Sequence, residues 1–120
     1  MGFFHQYMLK ILKEVTPEDN LNLDSRPSDI TDGWDFVTII LKCEEYYNYE
    51  INDDEAIFIE TQNLTFGQIE DLFIFLRDGW ATPFIHNLII NNINELKGNR
   101  PDYERYIINH RNNKINDLLK

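Results

Sequence analysis

The sequence predicts an all-α fold, and two observations carry that expectation. Apolar residues recur at intervals of three and four in five separate segments, the spacing of one face of an α-helix. Helix start signals open several of these segments: Asp32 before an apolar run, Thr65 paired with Gln68, and proline directly after Thr82 and at position 101. A length of 120 residues suits a single domain with one core. Within it, residues 1–79 read as a helical bundle and residues 80–120 as a two-helix C-terminal extension. Residues 56–62, AIFIETQ, are rich in β-branched and aromatic side chains, so a short strand there is the competing reading.

Taken in order, Phe4, Met8, Ile11, Leu12 and Val15 form the apolar face of a first helix. Thr16-Pro17 stops it, because the residue before proline avoids helical angles. Glu18 to Thr31 is polar, with Leu21, Leu23 and Ile30 as anchors, and reads as a long loop holding about one helical turn. Asp32 caps a second helix to about Tyr47; Trp34, Val37, Ile40 and Leu41 are its expected inner stripe, and Asp35 sits where the dipole favours an anion. From Thr65 the next helix turns Ile69, Leu72, Phe73 and Leu76 inward and ends near Gly79. Thr82-Pro83 opens another, ending at Gly98. Pro101 opens the last, with Tyr103, Ile107, Ile108, Ile115 and Leu118 as its apolar set.

Charge is the strongest compositional signal. Eleven basic residues against 21 acidic ones leave a net charge of −10 and a pI near 4.6. The imbalance is local: residues 1–80 hold 5 basic and 17 acidic side chains, and between Glu14 and Glu60 only Arg26 and Lys42 oppose 14 carboxylates. Such a surface repels nucleic-acid phosphates and anionic membranes and steers a basic partner. The single cysteine, Cys43, excludes an intramolecular disulfide framework. No apolar run approaches the roughly 20 residues of a membrane span. The start, MGFFHQYMLK, lacks a signal-peptide layout, so a cytoplasmic location is expected.

At the second helix the pattern becomes specific. DGWDFVTIILKCEEYYNYEINDDE, residues 32–55, resembles the recognition segment of acyl carrier proteins. Asp32, Asp35, Val37, Glu44, Glu45, Tyr47, Glu50, Ile51, Asp53, Asp54 and Glu55 fall in register without a gap, and LTFGQIEDLFIFL resembles the family's last helix. The likeness covers about residues 4–77 and implies an acyl-carrier-like bundle. It also places the serine that would carry phosphopantetheine on Gly33, which has no hydroxyl to esterify. The chain's two serines, Ser25 and Ser28, lie in the preceding loop, away from a helix start. Retained is the acidic docking face that carrier proteins present to basic patches: Asp32, Asp35, Glu44 and Glu45, with Thr38 in place of an acid and Lys42 interrupting it. Trp34 stands in the family's leucine position, as an oversized core residue or, alternatively, a binding anchor.

The residues point away from catalysis. Nothing in the spacing marks a buried carboxylate pair, so the acids read as solvated surface. His5, His86 and His110 are too dispersed for a metal site, and Cys43, beside Glu44 and Glu45, reads as an inert buried thiol. Asn52-Asp53-Asp54-Glu55 lacks the glycine and spacing of a calcium loop. No cofactor is expected. The expectation is a non-catalytic acidic binding module with a basic protein partner, through Asp32, Trp34, Asp35, Thr38, Glu44 and Glu45. One form is an immunity or inhibitor protein neutralising a toxin. Another is a degenerate carrier-like adaptor docking on a lipid or polyketide enzyme, and the remaining alternative is a true acyl carrier modified on Ser25 or Ser28.

Overall fold

The computed structural model describes residues 7–96 and 101–119, with side chains placed through Arg111. The described chain is all-α: α1 Met8–Val15, α2 Gly33–Tyr47, α3 Asp53–Thr61, α4 Phe66–Asp78, α5 Pro83–Asn91, α6 Ile93–Leu96 and α7 Pro101–Leu119. No strand occurs among the described residues. Phe4, His5 and Gly98 lie outside them, as do the side chains of Ile115 and Leu118.

Local chemistry sets most of the boundaries. The Thr16 amide and hydroxyl both close on the Leu12 carbonyl, and Pro17 follows. The long loop contains one 3-10 turn, Pro27–Asp29, and its carbonyls at Leu23 and Ser25 accept the first amides of α4, Gly67 and Phe66. The Asp32 carboxylate caps α2 by accepting the Trp34 amide at 3.0 Å, and Asn48 ends that helix in the left-handed region at φ 52°. Thr65 and Gln68 exchange side-chain-to-amide bonds at the start of α4, and Gly79 closes it at φ 77°, a value that favours glycine.

Residues 56–62 are not a strand. Asn52 and Glu55 form a capping box just upstream, and Asp53, Asp54 and Glu55 place negative charge on the positive end of the helix dipole. Glu55, Phe58 and Ile59 then face inward at helical spacing, so the cap outweighs the β propensity of Ile57, Phe58 and Ile59. The extension also differs from two helices. The expected 83–98 helix breaks at Asn92, whose side-chain amide donates to the Leu88 carbonyl, and the one-turn α6 follows.

α4 is the central element. Beyond the four inward residues expected, Phe66 is buried on the same face as Ile69 and Phe73, and Ile74 and Phe75 are buried away from that face, Phe75 against the extension. Phe75 stacks on Tyr103 with ring centroids 6.2 Å apart and meets Tyr106 edge-on at 5.2 Å. One continuous core therefore runs from Met8 in α1 to Ile107 in α7, with Ile85, Ile89 and Tyr103 of the extension fully enclosed.

Candidate functional site: the exposed face of α2

The structure corrects the orientation of α2. Its buried side consists of Phe36, Ile39, Ile40, Cys43 and Tyr47, not the stripe from Trp34 through Leu41. Trp34 is 78% exposed, Leu41 58% and Val37 47%. The core reading of Trp34 is thus overturned: the side chain is exposed to solvent in the first turn of the helix. Only Ile40 of the expected inner stripe is buried. The alternative stripe was present in the sequence as a full i, i+3, i+4, i+7, i+11 series.

On a helix with about 100° between residues, Trp34, Leu41 and Glu45 form one line, with Thr38 beside it. Asp35 falls on one flank and Glu44 on the other. The sequence-predicted set therefore divides by role. Trp34, Thr38 and Glu45 share the exposed ridge, and the Thr38 hydroxyl donates to the Trp34 carbonyl at 3.2 Å. Asp32 is spent on the cap. Glu44 is half-buried and accepts the Ile51 amide at 2.7 Å, tying the end of α2 to the start of α3. Val37 and Leu41 join the ridge as functional candidates that sequence reasoning placed in the core.

Acidic groups crowd the entrance to this helix. Asp19 is held by Thr31, which donates from its hydroxyl at 2.9 Å and from its amide at 3.3 Å. Asp35 is held above the usual carboxylate range by partial desolvation first, then by the negative charges of Asp32, Asp19 and Glu18. A groove of about 170 Å³ runs between α2 and α3, floored by Phe36, Ile40 and Ala56 and edged by Val37, Leu41, Glu44 and Asp53. At the helix start, Gly33 is open: a Cβ there would meet nothing within 4 Å, so sterics do not exclude serine. Ser28 and Gly33 both line a cavity of about 320 Å³ beside the 3-10 turn.

Two acids contradict the expectation that all are solvated. Glu70 and Glu55 are 0% and 1% exposed. Glu70 accepts the amides of Tyr7 and Met8 and the Tyr47 hydroxyl, holding the start of α1. Glu55 closes its capping box and also accepts the Tyr103 hydroxyl from α7. Both lock helices together. Cys43 is fully buried, and its thiol is pushed up by burial first and then by Glu70 and Glu44. His86 and His110, far apart in sequence, face each other with ring centroids 4.7 Å apart, and His86 Nδ1 bonds the Tyr106 hydroxyl at 2.7 Å. Among the described residues no group of three or more His, Cys, Asp or Glu is placed to hold a metal ion, and no helix is long and apolar enough to cross a membrane.

Leaving one aliphatic side chain in water forgoes about 1.5–3 kcal/mol of burial, so the continuous exposed ridge of tryptophan, valine and leucine is the candidate contact surface. Comparison with family models, curated proteins and solved structures finds no match, so the case for this surface rests on its own residues.

Proposed function

We propose that this protein is a non-catalytic acidic binding module whose partner is a basic protein, and that it acts as an immunity or inhibitor protein against a toxin-like target. The observation that carries this reading is the ridge of Trp34, Val37 and Leu41 framed by the carboxylates of Asp35, Glu45 and Asp53. Apolar anchors at the centre of a charged rim supply affinity, while the rim speeds encounter and rejects acidic competitors. The net charge of −10 extends the attraction beyond the contact itself.

The test is retention of a basic protein from host lysate at low salt by the wild type and by Asp35→Lys/Glu45→Lys. Among the described residues these two side chains make no hydrogen bond or ion pair, whereas Glu44 holds Ile51, so Glu44 is left intact. The expected result is a basic protein held by the wild type, lost by the double variant and bound more slowly as salt rises. An unchanged retention profile would place the interface elsewhere.

The resemblance to acyl carrier proteins supports a second reading, an adaptor that docks on a lipid or polyketide enzyme without carrying a substrate. It rests on the same helix and on the in-register acids of residues 32–55. Affinity separates the two. An inhibitor binds tightly and uses α5 to α7 to widen the interface, whereas an adaptor exchanges quickly and contacts α2 alone.

A further inference from the structure

We infer that the partner element seated on α2 is an amphipathic basic helix that lies along the ridge and places one large apolar side chain in the groove between α2 and α3. This deepens the reading of α2 as a partner surface and rests on it. Three observations select this occupant.

The groove holds about 170 Å³, below the roughly 300–1,000 Å³ of small-molecule sites but ample for a single leucine or phenylalanine side chain. Its floor of Phe36, Ile40 and Ala56 is apolar, and Glu44 and Asp53 stand at its edge. An incoming apolar group flanked by lysine or arginine matches both.

The exposed apolar residues run in line along α2 at positions 34, 37 and 41, a rod about two helical turns long. A flexible polycation neutralises the acids but leaves that rod in water. A helix with apolar residues at i, i+3, i+4 and i+7 covers it along its length.

Charge excludes the alternatives. A second copy related by a two-fold axis would set the same acidic patch, Asp35, Glu45 and Asp53, against itself, and like charges across an interface oppose association. An anionic bilayer meets the same repulsion. Around α2 and α3, from Asp32 to Glu60, Lys42 is the lone cation in the sequence.

The experiment is calorimetric titration of the full chain with three synthetic peptides. One is an amphipathic helix of leucine and lysine, one has every leucine replaced by alanine, and one has every lysine replaced by glutamate. The leucine–lysine helix is expected to bind saturably. The alanine–lysine and leucine–glutamate peptides should bind at least about tenfold more weakly. Trp34→Ala and Leu41→Ser, both at exposed positions and checked for native helicity, should each weaken the leucine–lysine helix by about tenfold. Equal binding of the alanine–lysine peptide would overturn the inference, as would variants that leave the dissociation constant unchanged. Those results would spare the basic-partner reading if Asp35→Lys/Glu45→Lys still abolished binding. Loss of that dependence as well would remove both.

Discussion

The Tyr47 hydroxyl donates to Glu70 Oε2 across 2.5 Å, and the same carboxylate oxygen accepts the backbone amides of Tyr7 and Met8 at the start of α1. One buried acid in α4 thus caps α1 and anchors the last turn of α2, tying three helices together at one carboxylate. The Tyr47 ring is further held edge-on by Tyr7, with the Arg77 guanidinium 4.9 Å from its centroid. Tyr47→Phe keeps those ring contacts and removes only the hydroxyl. It is expected to cost about 1.5–3 kcal/mol, the range for a hydrogen bond to a charged group, read as a lower urea midpoint at unchanged slope. A midpoint equal to wild type would show that this bond contributes nothing.

Tyr103 does for the extension what Tyr47 does for α1. Its hydroxyl donates to the buried Glu55 at the start of α3, and Tyr49 adds a bond of 2.9 Å to Asp102 in α7. Tyr103→Phe should lower stability by about 1.5–3 kcal/mol. Amide exchange should rise in α7 and in the first turn of α3, while α4 stays protected. Uniform loss of protection in all helices would mean that α7 does not open separately.

Gly33 offers a direct test of the resemblance to carrier proteins. After incubation with coenzyme A and a promiscuous phosphopantetheinyl transferase, the wild type should show no gain in intact mass. Gly33→Ser restores a hydroxyl at an unobstructed position and should gain one phosphopantetheine group. A gain in the wild type would assign attachment to Ser25 or Ser28 and end the reading as a non-carrier. No gain in the variant would confine the likeness to sequence pattern.

Asp35 sets a pH dependence with a definite sign. Desolvation and the charges of Asp32, Asp19 and Glu18 raise its carboxyl in the folded protein, so the folded state binds this proton more readily than the unfolded state. Its contribution to stability is therefore present at low pH and lost as pH rises through the carboxylate range. Asp35→Asn should make the protein more stable than wild type at neutral pH, with the gap closing on acidification, measured by urea midpoints at the two conditions. A cationic partner removes the repulsion, so binding should tighten as pH rises through the same range. A gap that widened on acidification would reverse the sign and refute desolvation and like-charge repulsion as the cause.

The helix ends were legible because capping chemistry is local. Asp32, Thr65, Thr82 and Gly79 act on groups within four residues, and each stands where the sequence placed it. The loop anchors Leu21, Leu23 and Ile30 also pack against the core as expected. The same local logic, in Asn52 and Glu55, favours helix over strand for residues 56–62 once capping is weighed above β propensity. The candidate site was legible only in part. Asp35, Thr38 and Glu45 lie on or beside the exposed face, but periodicity puts Val37 and Leu41 in the core and leaves Trp34 with two roles.

The sequence alone determined an all-α chain, the acidic character of its first two thirds, and most helix boundaries, since each depends on neighbours along the chain. Tertiary structure decided which side of α2 meets solvent. Phe36, Ile39, Ile40, Cys43 and Tyr47 pack into the core, and the opposite stripe is left outside. It also decided which acids are buried, because Glu55 meets Tyr103 across 48 positions and Glu70 meets Tyr47 across 23. Periodicity reports that a helix has an apolar side; when two apolar stripes compete, only the packing of the other helices selects the one that leaves water.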